Sequence, residues 1–73
     1  MAMASIDPIR VDVEREEDGR ILASVPYLPG VMAYGETDSE AVSKVKSIAL
    51  QVLADRIESG EEVPDSLNVL FAL

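Results

Sequence analysis

Apolar and polar residues alternate from Ile9 to Glu16. Ile9, Val11 and Val13 fall on one side and Arg10, Asp12, Glu14 and Glu16 on the other, and a period of two marks a strand with one buried face. Glu17-Asp18-Gly19 supplies a turn, because Asp-Gly is a favoured hairpin pair. Arg20 to Val25 then returns as a second strand with Ile21, Ala23 and Val25 inward. Pro26 cannot donate to a ladder and ends that strand. Pro29 presets φ and Gly30 accepts a positive φ, so Pro29-Gly30 predicts a tight reversal of type II. A short third strand follows from Val31 to Gly35, with Val31 and Ala33 inward.

The period then changes. From Ser39 to Ser59, residues Ala41, Val42, Val45, Ile48, Ala49, Val52 and Leu53 cluster on one arc at helical spacing, the pattern of a helix laid on a sheet. Thr37 and Glu40 have the spacing of a capping box at its start. Gly60 has the residue type that ends helices in the left-handed conformation, and Pro64 prevents resumption. Leu50 and Ile57 widen the arc, either as part of an interface or as packing beneath the loop 60–66, with packing the simpler assignment. Leu67, Val69, Phe71 and Leu73 alternate with Asn68, Leu70 and Ala72, which predicts a fourth strand. The fold class is therefore α+β, in the order β-β-β-α-β. The helix is long enough to bring the last strand back parallel to the first, giving a four-stranded mixed sheet in the order 3-2-1-4 with one long helix on one face. All of residues 1–73 are expected to form a single domain.

Composition narrows the chemistry. There is no Cys and no His among the 73 residues, so thiolate and imidazole chemistry and disulfides are excluded. A domain of this length buries only about 60% of the surface of its unfolded chain, and self-association would enlarge a thin core. Six Lys and Arg stand against fourteen Asp and Glu, a net charge of −8, which opposes binding to phosphate backbones and anionic membranes and suits a basic partner or simple solubility. No basic segment followed by an apolar one opens the chain and no apolar run approaches a membrane span, so the expected location is cytoplasmic. Direct DNA binding is not expected, since the charge is wrong and no helix is available for a major groove.

Several segments together resemble the HicB-like antitoxin family. They are the hairpin Glu16-Glu17-Asp18-Gly19 with Ala23-Ser24-Val25-Pro26, then Leu28-Pro29-Gly30-Val31, then Gly35-Glu36-Thr37 leading into Ser39-Glu40-Ala41, and finally Gly60, Val63 and Pro64. The resemblance implies a degraded RNase H-like fold in the order derived above. It also implies a partner, a small basic HicA-type toxin that cleaves mRNA and is masked by the antitoxin. Full-length antitoxins of this kind continue into a DNA-binding domain, whereas this sequence matches a short, stand-alone HicB-like domain.

RNase H-like ancestry raises the question of metal-dependent nuclease activity, which needs carboxylates converging on a pair of divalent ions. Asp12 and Glu14 share a strand and Asn68 is expected on its neighbour, too few to form such a site. No catalytic, cofactor-binding or metal site is predicted, no cofactor is expected, and the protein reads as a non-enzyme. The candidate partner surface is Tyr27, Tyr34, Glu36, Asp38 and Glu40, an acidic region with two aromatic side chains that can anchor a partner or serve equally as rim packing. Leu22, Met32, Tyr34 and Leu70 project to the side opposite the helix and form a candidate self-association patch. The alternative to an antitoxin is a homo-oligomeric structural or scaffold protein, dimer or tetramer, with no toxin partner. Pro29, Gly30, Gly35, Thr37 and Gly60 each have a turn or cap explanation that requires no ligand.

Overall fold

The computed structural model describes residues 8–71. Strands β1 (Asp12–Arg15), β2 (Ile21–Ser24) and β3 (Met32–Gly35) form an antiparallel sheet in the order β1-β2-β3, and helix α1 (Asp38–Glu58) follows. A 3₁₀ helix, Asp65–Val69, ends the described chain.

Each reversal has a local cause. Between β1 and β2 the Gly19 N–H donates to the Glu16 carbonyl at 3.0 Å, the Glu16 N–H donates to the Arg20 carbonyl at 2.8 Å, and Gly19 takes φ 91°. This is a three-residue hairpin loop, a tight turn followed by a left-handed residue, rather than a two-residue Asp-Gly loop. Asp18 secures it by accepting from the Arg20 backbone N–H at 3.0 Å and from its guanidinium Nε at 2.7 Å. Between β2 and β3 two turns follow in succession. The Leu28 N–H donates to the Val25 carbonyl at 2.9 Å and the Val31 N–H to the Leu28 carbonyl at 3.0 Å, with Gly30 at φ 85° as the type II reversal requires. The double turn folds Leu28 back into the core, where it is 1% exposed.

Helix α1 starts one residue earlier than its periodicity predicts. Thr37 is the N-cap, its Oγ1 accepting from the Glu40 N–H at 3.1 Å. The return half of the capping box is replaced: the Glu40 carboxylate accepts from Lys44 Nζ at 3.0 Å, an i,i+4 ion pair on the solvent side. At the other end Gly60 takes φ 73°, its N–H donates to the Ile57 carbonyl at 3.1 Å, and the Glu61 N–H donates to the Arg56 carbonyl at 2.9 Å. That pair of bonds is the Schellman motif. Thr37→Ala removes the only side-chain acceptor at the N-cap and is expected to cost about 1 kcal/mol in a urea unfolding titration. Thr37→Asp should restore most of it, and an unchanged midpoint in Thr37→Ala would refute the assignment.

Ala41, Val45, Ala49 and Leu53 are the buried stripe of α1 and meet Ile21, Ala23, Val25, Leu28 and Val31 of the sheet and its turns. No buried residue among those described is polar or charged. Leu50 and Ile57, assigned above to packing, are instead more than half exposed.

The predicted fourth strand is corrected. The described part of 67–73 holds a 3₁₀ helix to Val69 and a turn at Leu70, so among the described residues the sheet is three-stranded and antiparallel rather than mixed in the order 3-2-1-4; Ala72 and Leu73 lie outside the described residues. The cause is local. Pro64 is extended, Asp65 and Ser66 favour a turn, and the Leu67 N–H bonds back to the Pro64 carbonyl at 3.0 Å while the Leu67 side chain enters the core. A turn satisfied over three residues competes well with a parallel pairing that must be closed over a long loop.

Candidate protein-binding surface

The hairpin register decides which side chains share the open face of the sheet. Asp12 pairs with Ser24 and Glu14 with Leu22, while Leu22 pairs with Tyr34 and Ser24 with Met32. Side chains directly opposite one another lie on the same face, so Glu14, Leu22 and Tyr34 form one row and Asp12, Ser24 and Met32 the next. The adjoining pair, Glu16 and Arg20, completes the face. Met32 and Tyr34 are exposed and Leu22 is half-buried beside them.

Tyr34 is held from two directions. The Arg20 guanidinium carbon lies 4.2 Å from the centre of its ring, a cation–π contact. Its hydroxyl donates to Glu16 Oε1 at 3.3 Å. Arg20 is itself tied to Asp18, and the Arg20 backbone N–H and guanidinium hold the Asp18 carboxyl below its ordinary 3.8. Asp18 therefore stays charged into more acidic solution than a free aspartate, and its clasp on Arg20 is lost only as pH falls through that lowered value. The result is an aromatic ring held in one orientation between Arg20 and Glu16. Asp12 is neutralised in part by Arg10 at 2.9 Å, an exposed pair of small energetic weight.

The predicted partner surface divides. Tyr34 sits near the end of β3 from which the chain passes through Glu36 and Asp38 to Glu40, all exposed at the start of α1. Tyr27 lies in the double turn at the opposite end of β3, separated by most of a strand, about 13 Å for four residues. Tyr34 and the exposed acids Glu36, Asp38 and Glu40 thus lie toward one end of β3, and Tyr27 lies at the other. The self-association patch loses Leu70, which follows the 3₁₀ helix instead of lying in a strand. Leu22, Met32 and Tyr34 remain together.

Asn68 lies in the 3₁₀ helix and not on a strand beside Asp12 and Glu14. Among the described residues no group of three or more His, Cys, Asp and Glu side chains is arranged to hold a metal ion, and no helix is long and apolar enough to cross a membrane. Arg20 is the residue that sequence reasoning missed. Its signal was present, since Arg20 shares the parity of Leu22 and so projects to the same face.

Comparison of the chain with protein-family models, with curated proteins and with solved structures gave no match.

Proposed function

We propose that this chain is a non-enzymatic HicB-like antitoxin-type domain, cytoplasmic, that binds and masks a small basic HicA-type mRNA-cleaving toxin. The observation that supports the reading is Tyr34, a ring clamped by Arg20 and Glu16 on the open face of the sheet near the end of β3, from which the chain leaves through the exposed acids Glu36, Asp38 and Glu40. An oriented aromatic anchor next to a patch of acids is complementary to a basic RNA-binding face. Occlusion of that face, steric and electrostatic, is the mechanism. The β-β-β-α order of the described chain is the part of the implied β-β-β-α-β order that precedes the last strand. The finer part of the proposal, a four-stranded RNase H-like sheet, requires a strand to join the free edge of β1.

The test first asks whether an adjacent reading frame encodes a short basic protein, and then uses that protein as the partner. Association should slow as salt rises from low to physiological concentration, since exposed charges are screened within roughly 10 Å at 0.1 M. The double variant Glu36→Lys, Glu40→Lys should slow it further, by about tenfold at low salt. Tyr34→Ala should speed dissociation instead. Association indifferent to salt and to charge reversal, or RNA cleavage unaffected by the complex, would show that this is not the masking surface.

A second reading has its own observation. Leu22, Met32 and Tyr34 lie on the face opposite α1, and an apolar cluster there suits a homo-oligomeric scaffold with no toxin. Monomeric behaviour of Met32→Lys beside an oligomeric parent would favour it.

A further inference from the structure

A second unoccupied place lies on the other side of the molecule, along β1. The hydrogen bond from Glu16 N–H to the Arg20 carbonyl makes these residues a bonded pair. Antiparallel ladders alternate bonded and non-bonded pairs, so Glu14–Leu22 and Asp12–Ser24 are also bonded. The backbone N–H and C=O groups of Val13 and Arg15, and of Val11 just before them, therefore point outward along an edge that is free among the described residues. Val13 lies opposite Ala23 and faces the helix side, yet it is 43% exposed, because α1 packs on β3 and β2. Where the chain enters this edge, before Asp12, lies an apolar cleft of about 220 Å³, lined by Ile9, Val11, Val25, Leu50 and Leu53 together with Lys46.

The same chain carries a segment that matches it. Val69, Leu70 and Phe71 are 64%, 67% and 75% exposed, and residues 66–71 contain no charged side chain. Leu67 is buried and fixes the root of this segment in its own core, while the cleft of that same chain is lined by other residues and, among the described residues, is open. A neutral, apolar segment can enter the cleft without burying a charge, and it avoids the repulsion that two chains of net charge −8 would meet through their acidic faces.

We propose that Val69–Phe71 of a second copy unwinds from the end of its 3₁₀ helix, seats in the cleft beside β1 and bonds its edge, and that the exchange is reciprocal, giving a two-fold dimer. The contact is isologous: each chain gives one segment and receives one. It fills the place beside β1 in trans, leaves the Tyr34 surface free, and does not depend on the toxin reading.

The experiment is sedimentation of the full chain with two variants, each altering a residue exposed in the single chain. Phe71→Asp disables the segment and Leu50→Asp the cleft, and circular dichroism checks that both stay folded. Each alone should raise the dimer dissociation constant by at least about 30-fold, the effect expected of a buried apolar anchor. Mixed together they should recover dimers, because Phe71→Asp keeps a sound cleft and Leu50→Asp a sound segment, so one of the two contacts is intact. Isotope-filtered cross-peaks between Val11 or Val13 of one copy and Phe71 of the other should appear in the parent. A monomeric parent with those cross-peaks within one chain would overturn the proposal in favour of the chain's own tail. A dimer unaffected by Phe71→Asp would overturn it in favour of the open sheet face, and failure of the mixture to recover dimers would rule out reciprocal exchange.

Discussion

Gly35→Ala is expected to destabilise the domain by about 3 kcal/mol or more, an unusually large effect for adding one methyl group. The reason is not backbone freedom but the approach of the helix. A Cβ placed on Gly35 would come within 2.5 Å of the Ala41 backbone nitrogen, 2.9 Å of its Cα and 3.1 Å of its Cβ. Two of these three atoms are main chain in the first turn of α1, so no change of rotamer can relieve the contact. The helix must lift from the end of β3, or β3 must withdraw from Ile21, its partner in β2. The double variant Gly35→Ala, Ala41→Gly removes only the mildest of the three contacts and adds the cost of a helical glycine, roughly 1 kcal/mol. It should be no more stable than Gly35→Ala alone. Urea unfolding of both variants decides the matter: a Gly35→Ala protein within 0.5 kcal/mol of the parent, a threshold typical of neutral surface changes, would mean that helix and sheet are not in contact there.

Leu28→Ala should lose about 2–5 kcal/mol, the range for truncating a buried leucine, although Leu28 lies in a turn. A domain of this size has a total stability of only about 4–11 kcal/mol, so the variant is expected to be partly unfolded at 37 °C. The double turn directs Leu28 inward to join Val25, Val31 and Leu53 in the core, and the cavity left by truncation is walled by the ends of two strands and cannot close easily. The neighbour provides the control. Tyr27 occupies the same turn but is 48% exposed, and Tyr27→Ala should change the thermal midpoint very little. Equal effects at the two positions would show that the turn does not fold back as described.

Signals of short range carried most of the fold. The hairpin of Arg20–Val25 with the segment before it, Gly30 at a left-handed position, and Thr37 and Gly60 at the helix ends were readable, because each is decided by a few neighbouring residues; the buried face expected of Ile9–Glu16 was not, since only Asp12–Arg15 is strand and all four of its residues are exposed, α1 packing on β2 and β3 instead. The segment 67–73 misled for a related reason. Its alternation of Leu67, Val69 and Phe71 fits a strand, but Pro64-Asp65-Ser66 starts a turn first and Leu67 finds the core without extending the chain. The open face was legible by parity, which placed Leu22, Met32 and Tyr34 together. The grouping of Tyr27 with Tyr34, Glu36, Asp38 and Glu40 fails because nearness in sequence conceals that β3 carries Tyr34 away from the turn. The cleft beside β1 was not legible at all. It depends on the sideways placement of α1 over β2 and β3, which is set by contacts such as that of Gly35 with Ala41 rather than by any periodicity.

The unequal lengths of helix and sheet have a bearing on recognition. Twenty-one residues make α1 about 31 Å long, whereas strands of four residues span about 13 Å, so much of the helix extends past the strands it covers. Its first turn is pressed onto β3 at Gly35, and past Leu53 none of its residues is fully buried. Resistance to local opening is thus graded along the helix, greatest at Ala41 and least toward Glu58. A ligand that contacts Glu36, Asp38 and Glu40 meets a preorganised rim and loses little entropy in ordering it. One that contacts Ile57 must first still a cantilever.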